Sequence, residues 1–455
     1  MVFHRPPHRD PTVFVSPRPP LSKTDLGNLD HNHASPTENL AKAAVDVIVA
    51  GALAVDFSCD YAPLPKSSAL VSPQMHTSNP ARITPSIGGV AHNVAKAAHL
   101  VGCAVQLCSI IGEDLSGKAA LGHLKAEGMD TDGVRILDSS AGERTAQYVA
   151  VNDAEKNLVM AMADMNILES ARADFDSSWN ARLTESKPRW LVVDANWKPS
   201  SLLAWLRAGK DSGAKTAFEP VSVAKSTRPF LSGLGTSMKT VKDPEYKKLG
   251  VYPNHIIDLV TPNSMELTAM YTAARDAGLF DSEEWWRIID ALGISSAGAR
   301  NRFVQTTSAT LVDQGIPQQC VQLLPFMPTI LTKFGSQGVL LAMLLEDGDP
   351  RLRDADSIPY IISIRRNDDE KSKVGGVYMR LFPPAEVLGP GQLVSVNGAG
   401  DTFLGTLIAG LARDDRKPEE IVMLAQQSAV LTLKSSESVS PQLKELHTAI
   451  SRSIL

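Results

Sequence analysis

Short apolar runs alternate along this chain with amphipathic stretches, and Gly, Pro, Asn or Asp punctuate the joins. VDVIVAGALAVDF (45–57) is β-branched and mostly apolar, the pattern of a central strand buried on both faces. A Pro- and Ser-rich loop is expected from there through Ile87. In GGVAHNVAKAAHLVG (88–102), Val94, Ala97, Ala98 and Val101 fall at helical spacing, and Gly102 supplies a stop. AVQLCSIIG predicts a strand, and DLSGKAALGHLKAEGM a helix capped by Asp114 or Ser116. WLVVDAN, KTAFEP and IIDLVTPN predict three more strands, the first ending at Asp194 and Asn196 and the last in a Pro262-Asn263 turn. SMELTAMYTAA then predicts a helix, and TILTKFGSQGVLLAML two strands joined by a glycine turn. This rhythm is that of an α/β chain with a mostly parallel sheet and helices on both faces. Ligands of such sheets bind beyond the carboxyl ends of the strands. The polar clusters sit at those ends and are expected to share one site.

Two stretches break the rhythm, 222–255 and 345–384, and read as surface insertions. Residues 1–43 are rich in Pro, His, Arg and Asp and read as a disordered leader before a domain over 44–455. A mitochondrial presequence is a minor reading, opposed by Asp10, Asp25 and Asp30. With 45 basic and 50 acidic residues, the net charge of -5 argues against a nucleic-acid partner. No apolar run reaches the roughly 18 residues of a membrane span. The four cysteines lack CxxC pairing, which fits a reducing, cytoplasmic setting and offers no zinc site; Cys103 and Cys108 read as buried thiols.

The densest chemistry lies in SVNGAGDTFLGTLIAGL (395–411). QLVSV predicts a short strand, Asn397-Gly398-Ala399-Gly400 a loop almost without side chains, and Phe403, Leu404, Leu407, Ile408 and Leu411 one helix face. Loop amides and helix N-terminus then converge on one spot suited to phosphate. Asp401 is either the N-cap or a general base for a hydroxyl attacking that phosphate, and the two roles can coexist. The loop is neither a Walker A motif nor GxGxxG.

On these residues the chain resembles the PfkB, or ribokinase-like, carbohydrate kinases over about Val45 to Pro441. NGAGDTFLGTLIAGL is similar to the family's C-terminal signature, GGVAHNVAKAAHLVG to its N-terminal signature, TPNSMEL to its NxxE motif, and LTKFGSQG to its TxGxxG nucleotide turn. The resemblance implies a three-layer α/β/α fold with a small β lid, drawn from residues near 57–87 and 143–165. It implies an ATP- and Mg2+-dependent phosphotransferase with Asp401 as base and the amides of Gly398, Ala399 and Gly400 holding transition-state charge. It implies Asp56, Gly88, Gly89 and Asn93 on the sugar. Asn263 and Glu266 would serve the Mg·ATP phosphates, with Glu266 acting on the metal. Thr332, Gly335 and Gly338 would line the nucleotide site. A homodimer through the lid follows from the same resemblance. Read singly, Gly88-Gly89 is equally a turn, Asn93 a capping side chain and Glu266 a first-turn acid. The chain departs from the family at Ser395-Val396-Asn397, where many members carry Asp-Thr-Thr and an acidic residue of a monovalent-cation site.

VDFSCDY and LTLKSSESVSP (431–441) resemble the pseudouridine kinases of the family, most closely the kinase part of fungal-type fusions with a glycosidase. The expected reaction is transfer from ATP to the 5'-hydroxyl of pseudouridine. The leader is too short for a glycosidase half, so a stand-alone kinase or a fragment of a fusion is expected. Rival readings are ribokinase, adenosine kinase or fructokinase activity, a non-catalytic nucleotide-binding relative, and, more remotely, a dinucleotide oxidoreductase.

Overall fold

The computed structural model describes residues 44–63, 71–138, 142–155, 158–231, 249–294, 296–365, 373–389, 391–413 and 416–451. The expected leader lies outside them, as do parts of the lid stretches and of the two insertions. In chain order the strands are β1 (Val47–Ala50), β2 (Ala54–Tyr61), β3 (Ala81–Gly88), β4 (Val105–Gly112), β5 (Val134–Leu137), β6 (Ala146–Asn152) and β7 (Leu158–Asp164). They continue as β8 (Trp190–Asp194), β9 (Lys215–Glu219), β10 (Leu259–Val260), β11 (Thr329–Lys333), β12 (Val339–Glu346), β13 (Ile361–Ile364) and β14 (Val374–Phe382).

Among the described residues ten strands form one sheet in the order β13-β14-β12-β11-β10-β9-β8-β1-β4-β5. From β11 to β5 neighbouring strands run parallel; β12, β14 and β13 close one edge antiparallel. Both faces are apolar because side chains alternate along each strand. Ile48, Ala50, Leu191 and Val193 enter one core, and Val47, Val49, Trp190 and Val192 the other. Helices cover both cores, which makes the three layers. β3, β2, β6 and β7 form a second, four-stranded sheet within the stretches expected to supply a lid.

The local signals behave as capping chemistry requires. Asp114 caps the helix Leu115–Ala126 by accepting from Gly117 N at 2.7 Å. Gly102, at φ 84°, ends the helix Val90–Leu100. Cys103 and Cys108 are buried free thiols, each pushed up to about 12 by burial.

The structure corrects five expected stretches. The run 45–57 is not one strand: β1 ends at Ala50, the chain bends through Gly51, and β2 leaves for the second sheet. The Pro- and Ser-rich stretch before Ile87 contains β3. QLVSV forms no strand; Leu393, Val394 and Val396 are exposed, and the amides of Val394 and Ser395 both point at the Leu433 carbonyl at the end of a helix. The 345–384 segment is not merely a surface insertion, since it supplies β13 and β14 to the sheet edge. Its charged residues had masked the apolar VGGVYMRLF of β14, six of whose nine residues are buried in succession. The described parts of 222–255 likewise bring Phe230, Leu249 and Tyr252 into a core.

Candidate active site

Four adjacent parallel strands, β8 to β11, bring Asp194, Glu219, Asn263 and Lys333 to one edge of the sheet. Asp194 ends β8, Glu219 ends β9, Asn263 follows β10, and Lys333 ends β11 with a parallel bridge to Asn263. Asp194 is buried and accepts from Ala52 N at 2.9 Å, Ala91 N at 3.1 Å and Asn196 N at 2.8 Å. A Cβ at Gly51 would stand 2.2 Å from its carboxylate. Asp194 therefore clasps the end of β1 to the start of the helix Val90–Leu100.

That helix packs against the helix Ala399–Leu411. The close approach depends on Gly405, where a Cβ would lie 2.4 Å from the Val94 carbonyl. One consequence is the central hydrogen bond of the site: Asn93 Nδ2 donates to Asp401 Oδ2 at 2.8 Å. Asp401 is not the N-cap. Gly398 holds that position at φ 74°, Asp401 sits in the first turn, and no side chain caps the helix. Its first-turn amides are thus left open, as an anion site requires. Burial pushes the Asp401 carboxyl up to about 6; Asn93 and Lys333 oppose the shift, while Asp194 and Asp56 add to it.

Asp56 lies in β2 between Ser86 of β3 and Tyr148 of β6. Gly88 makes room for it, since a Cβ there would meet Asp56 Oδ2 at 2.0 Å. Burial raises Asp56 to about 6 as well. Gly89, at φ 94°, begins the helix next to the Ala52 carbonyl. The second sheet thereby contributes one carboxylate and the glycine-loop helix another, near enough for Asp56 to raise Asp401.

Lys333 carries no role in the sequence analysis. Successive strand residues face opposite sides. Lys333 Nζ is 3.6 Å from Glu219 Oε1, and a Cβ at Gly400 would come within 3.1 Å of it. Thr332 faces the other way, fully buried, with its hydroxyl 3.9 Å from Cys320 Sγ. Thr332 therefore does not line the cleft. The spacing here is Thr-x-x-Gly-x-x-Gly, one residue longer than the expected motif, and this shifts the cleft-facing position to Lys333. Gly335 opens a tight turn, and Gly338, at φ 91°, sits where a Cβ would strike the Phe382 carbonyl at 2.0 Å.

Asn263 and Glu266 cap each other. Asn263 Oδ1 accepts from Met265 N and Glu266 N, and Glu266 Oε2 accepts from Asn263 N at 2.8 Å. The structural reading of Glu266 as a first-turn acid thus holds beside any role toward metal. Glu219 is also buried; burial chiefly, with the Glu266 and Asp401 charges, raises it to about 7 against the pull of Lys333. Thr261 Oγ1 donates to Glu219 Oε2 at 2.5 Å. Nothing in the sequence marks Glu219 except its place at a strand end.

No helix among the described residues is long and apolar enough to cross a membrane. The chain is 28% identical over 422 residues to a pseudouridine-metabolizing bifunctional protein of Schizosaccharomyces pombe, covering 90% of this chain and 48% of that protein. It therefore spans about half of the fungal protein's length. It is 23% identical to a pseudouridine kinase of Arabidopsis thaliana, over 88% of this chain and 93% of the relative. Its fold is similar to that of Arabidopsis thaliana ribokinase complexed with ribose and ATP, with TM-score 0.56, 15% identity, and coverage of 90% of this chain and 100% of that one. The profile of the pfkB family carbohydrate kinases matches residues 47–284 and 382–445. Strand-end carboxylates, an uncapped glycine-loop helix and this match agree: the chain belongs to the pfkB family of carbohydrate kinases.

Proposed function

We propose that this chain transfers the γ-phosphoryl group of ATP to the 5'-hydroxyl of pseudouridine. The observation that carries the chemistry is Asp401, held by Asn93 at 2.8 Å in the first turn of an uncapped helix. Asp401 takes the hydroxyl proton as the oxygen attacks phosphorus. The amides around Gly398, Ala399 and Gly400, with Lys333 above them, receive the charge that develops on the phosphoryl oxygens. Asp56 accepts from ribose hydroxyls, and Gly88 and Gly89 let the sugar approach the backbone. Gly335 and Gly338 shape the turn against which the nucleotide lies.

Glu219 and Glu266, two buried carboxylates near enough for Glu266 to raise Glu219, suit a hard divalent cation. Glu266, with Glu219 beside it, would hold Mg2+, which when bound neutralises phosphate charge. The choice of pseudouridine rests on relatives whose names specify it.

The test is ADP formation by the purified chain with Mg·ATP and, separately, pseudouridine, uridine, adenosine, ribose and fructose. Turnover confined to pseudouridine is the expected result. Faster turnover of another acceptor discards the substrate reading and keeps the mechanism. ATP binding without turnover of any acceptor discards both.

The lid also bears on assembly. Met160 and Met162 lie two apart on β7 and are 41% and 60% exposed, an apolar pair on one face of an edge strand. A second copy of the chain pairing lid to lid would cover it. Light scattering at micromolar concentration should give a dimer for the parent and a monomer for Met160→Asp; a monomeric parent removes this part of the proposal.

A further inference from the structure

Outside the cleft, three potential ligands meet between the first two helices. His92, one residue before Asn93, is fully buried, and its Nε2 has no hydrogen-bond partner. His123 belongs to the helix Leu115–Ala126, and Glu127 is that helix's C-cap. His123 Nε2 is 3.2 Å from Glu127 Oε1, while Glu127 Oε2 is buried and unpartnered. One ligand atom from each of the three residues lies within 4.8 Å of the others. Leaving a buried polar atom unpaired costs about 1–3 kcal/mol, and two residues of this cluster each carry such an atom.

We propose that His92, His123 and Glu127 bind a zinc-class divalent cation at a site separate from the phosphate-transfer cleft. Two imidazoles and a carboxylate, with a fourth position left for water, are a donor set that zinc accepts and magnesium does not favour. Lys96 is the competing cation: its Nζ is 2.6 Å from Glu127 Oε1. It has a second acceptor in Glu437 Oε2 at 3.5 Å, so Glu127 can turn to a metal without stranding the ammonium. Glu127, Glu437 and Lys96 together carry one negative charge, which favours a cation.

The site reaches the base through two residues. His92 Nδ1 is 3.3 Å from Asn93 Oδ1, and Asn93 Nδ2 donates to Asp401. A metal on Nε2 leaves the ring proton on Nδ1, where it donates to the Asn93 oxygen and fixes which end of the amide faces Asp401. Occupancy would therefore set the orientation of Asn93.

The full chain, freed of metal with a chelator, is titrated with Zn2+ against a chelating indicator, and with Co2+ while its visible absorption is followed. One equivalent of Zn2+ should bind even in millimolar Mg2+, and Co2+ should show the intense bands of a low-coordinate nitrogen and oxygen site. His123 is 39% exposed in its side chain, so His123→Ala leaves the core intact. His123→Ala and Glu127→Gln should each weaken Zn2+ by at least about tenfold, and His99→Ala should not. Uptake that Mg2+ displaces, uptake unchanged in both variants, or no uptake below millimolar Zn2+ would each overturn the proposal.

Discussion

Asp401→Asn is expected to lower kcat by at least about 10²-fold while changing KM for either substrate little. The amide is the same size and can still accept from Asn93, so the 2.8 Å contact and the helix packing survive. What is lost is the lone pair that takes the hydroxyl proton. Turnover within about tenfold of the parent, in a variant that melts cooperatively, would remove Asp401 from the role of base.

The same substitution separates two pH trends. Turnover needs the carboxylate and should rise with pH through about 6, the value to which burial lifts Asp401. Stability runs the other way for this group. Its folded value lies above its ordinary 3.8, so the native state holds the proton more tightly than the unfolded chain. Its stabilisation is complete below the ordinary value and lost as pH rises through about 6, on the order of 3 kcal/mol in all. Asp56, also lifted to about 6, has the same sign; Asp258, lowered to about 2 despite its burial through His255 and Lys210, has the opposite one. The informative quantity is therefore the difference between Asp401→Asn and parent, measured by denaturant melts from pH 4 to 8. The variant should gain on the parent as pH rises, and a flat difference would count against a lifted Asp401.

Gly398→Ala is expected to abolish most activity and to destabilise the chain. Gly398 is at φ 74°, and a Cβ there would lie 1.8 Å from the Ser438 carbonyl oxygen. Neither backbone can yield without moving the loop away from the amides it presents. Gly391→Ala is the matched control, because Gly391 has φ 81° with nothing within 4 Å of its Cβ position. Left-handed strain alone is on the order of 1–2 kcal/mol and should appear in both variants. A further loss of at least about 10²-fold in turnover should appear only in Gly398→Ala, where oxyanion-type donors are displaced. Equal activity of the two variants would show that the loop tolerates displacement and that its amides do not hold the transferring group.

Much of this was legible locally. The helix Val90–Leu100, the strands β4, β8, β9, β11 and β12, the Asp114 cap and the Gly102 stop follow from periodicity and backbone chemistry, which act over a few residues. Asp401 behind a glycine loop was visible for the same reason. What failed depended on neighbours distant in sequence. The run 45–57 divides because Asp194, far along the chain, fills the space beside Gly51 and clasps the bend. QLVSV stays out of any sheet although its composition suits a strand, and β14 joins one from a stretch whose charges suggested a loop. Lys333, not Thr332, faces Glu219 and Gly400, because a one-residue shift on a strand turns a side chain to the other face. The sequence alone determined most of the helices and parallel strands, the layering of helices on a mostly parallel sheet and the position of the glycine-loop helix, since those follow from patterns a few residues long. Only the tertiary structure decided that Asn93 meets Asp401, that Glu219 and Lys333 join them, and that His92 faces His123 and Glu127. Those meetings depend on sheet order and helix packing, which no local pattern encodes.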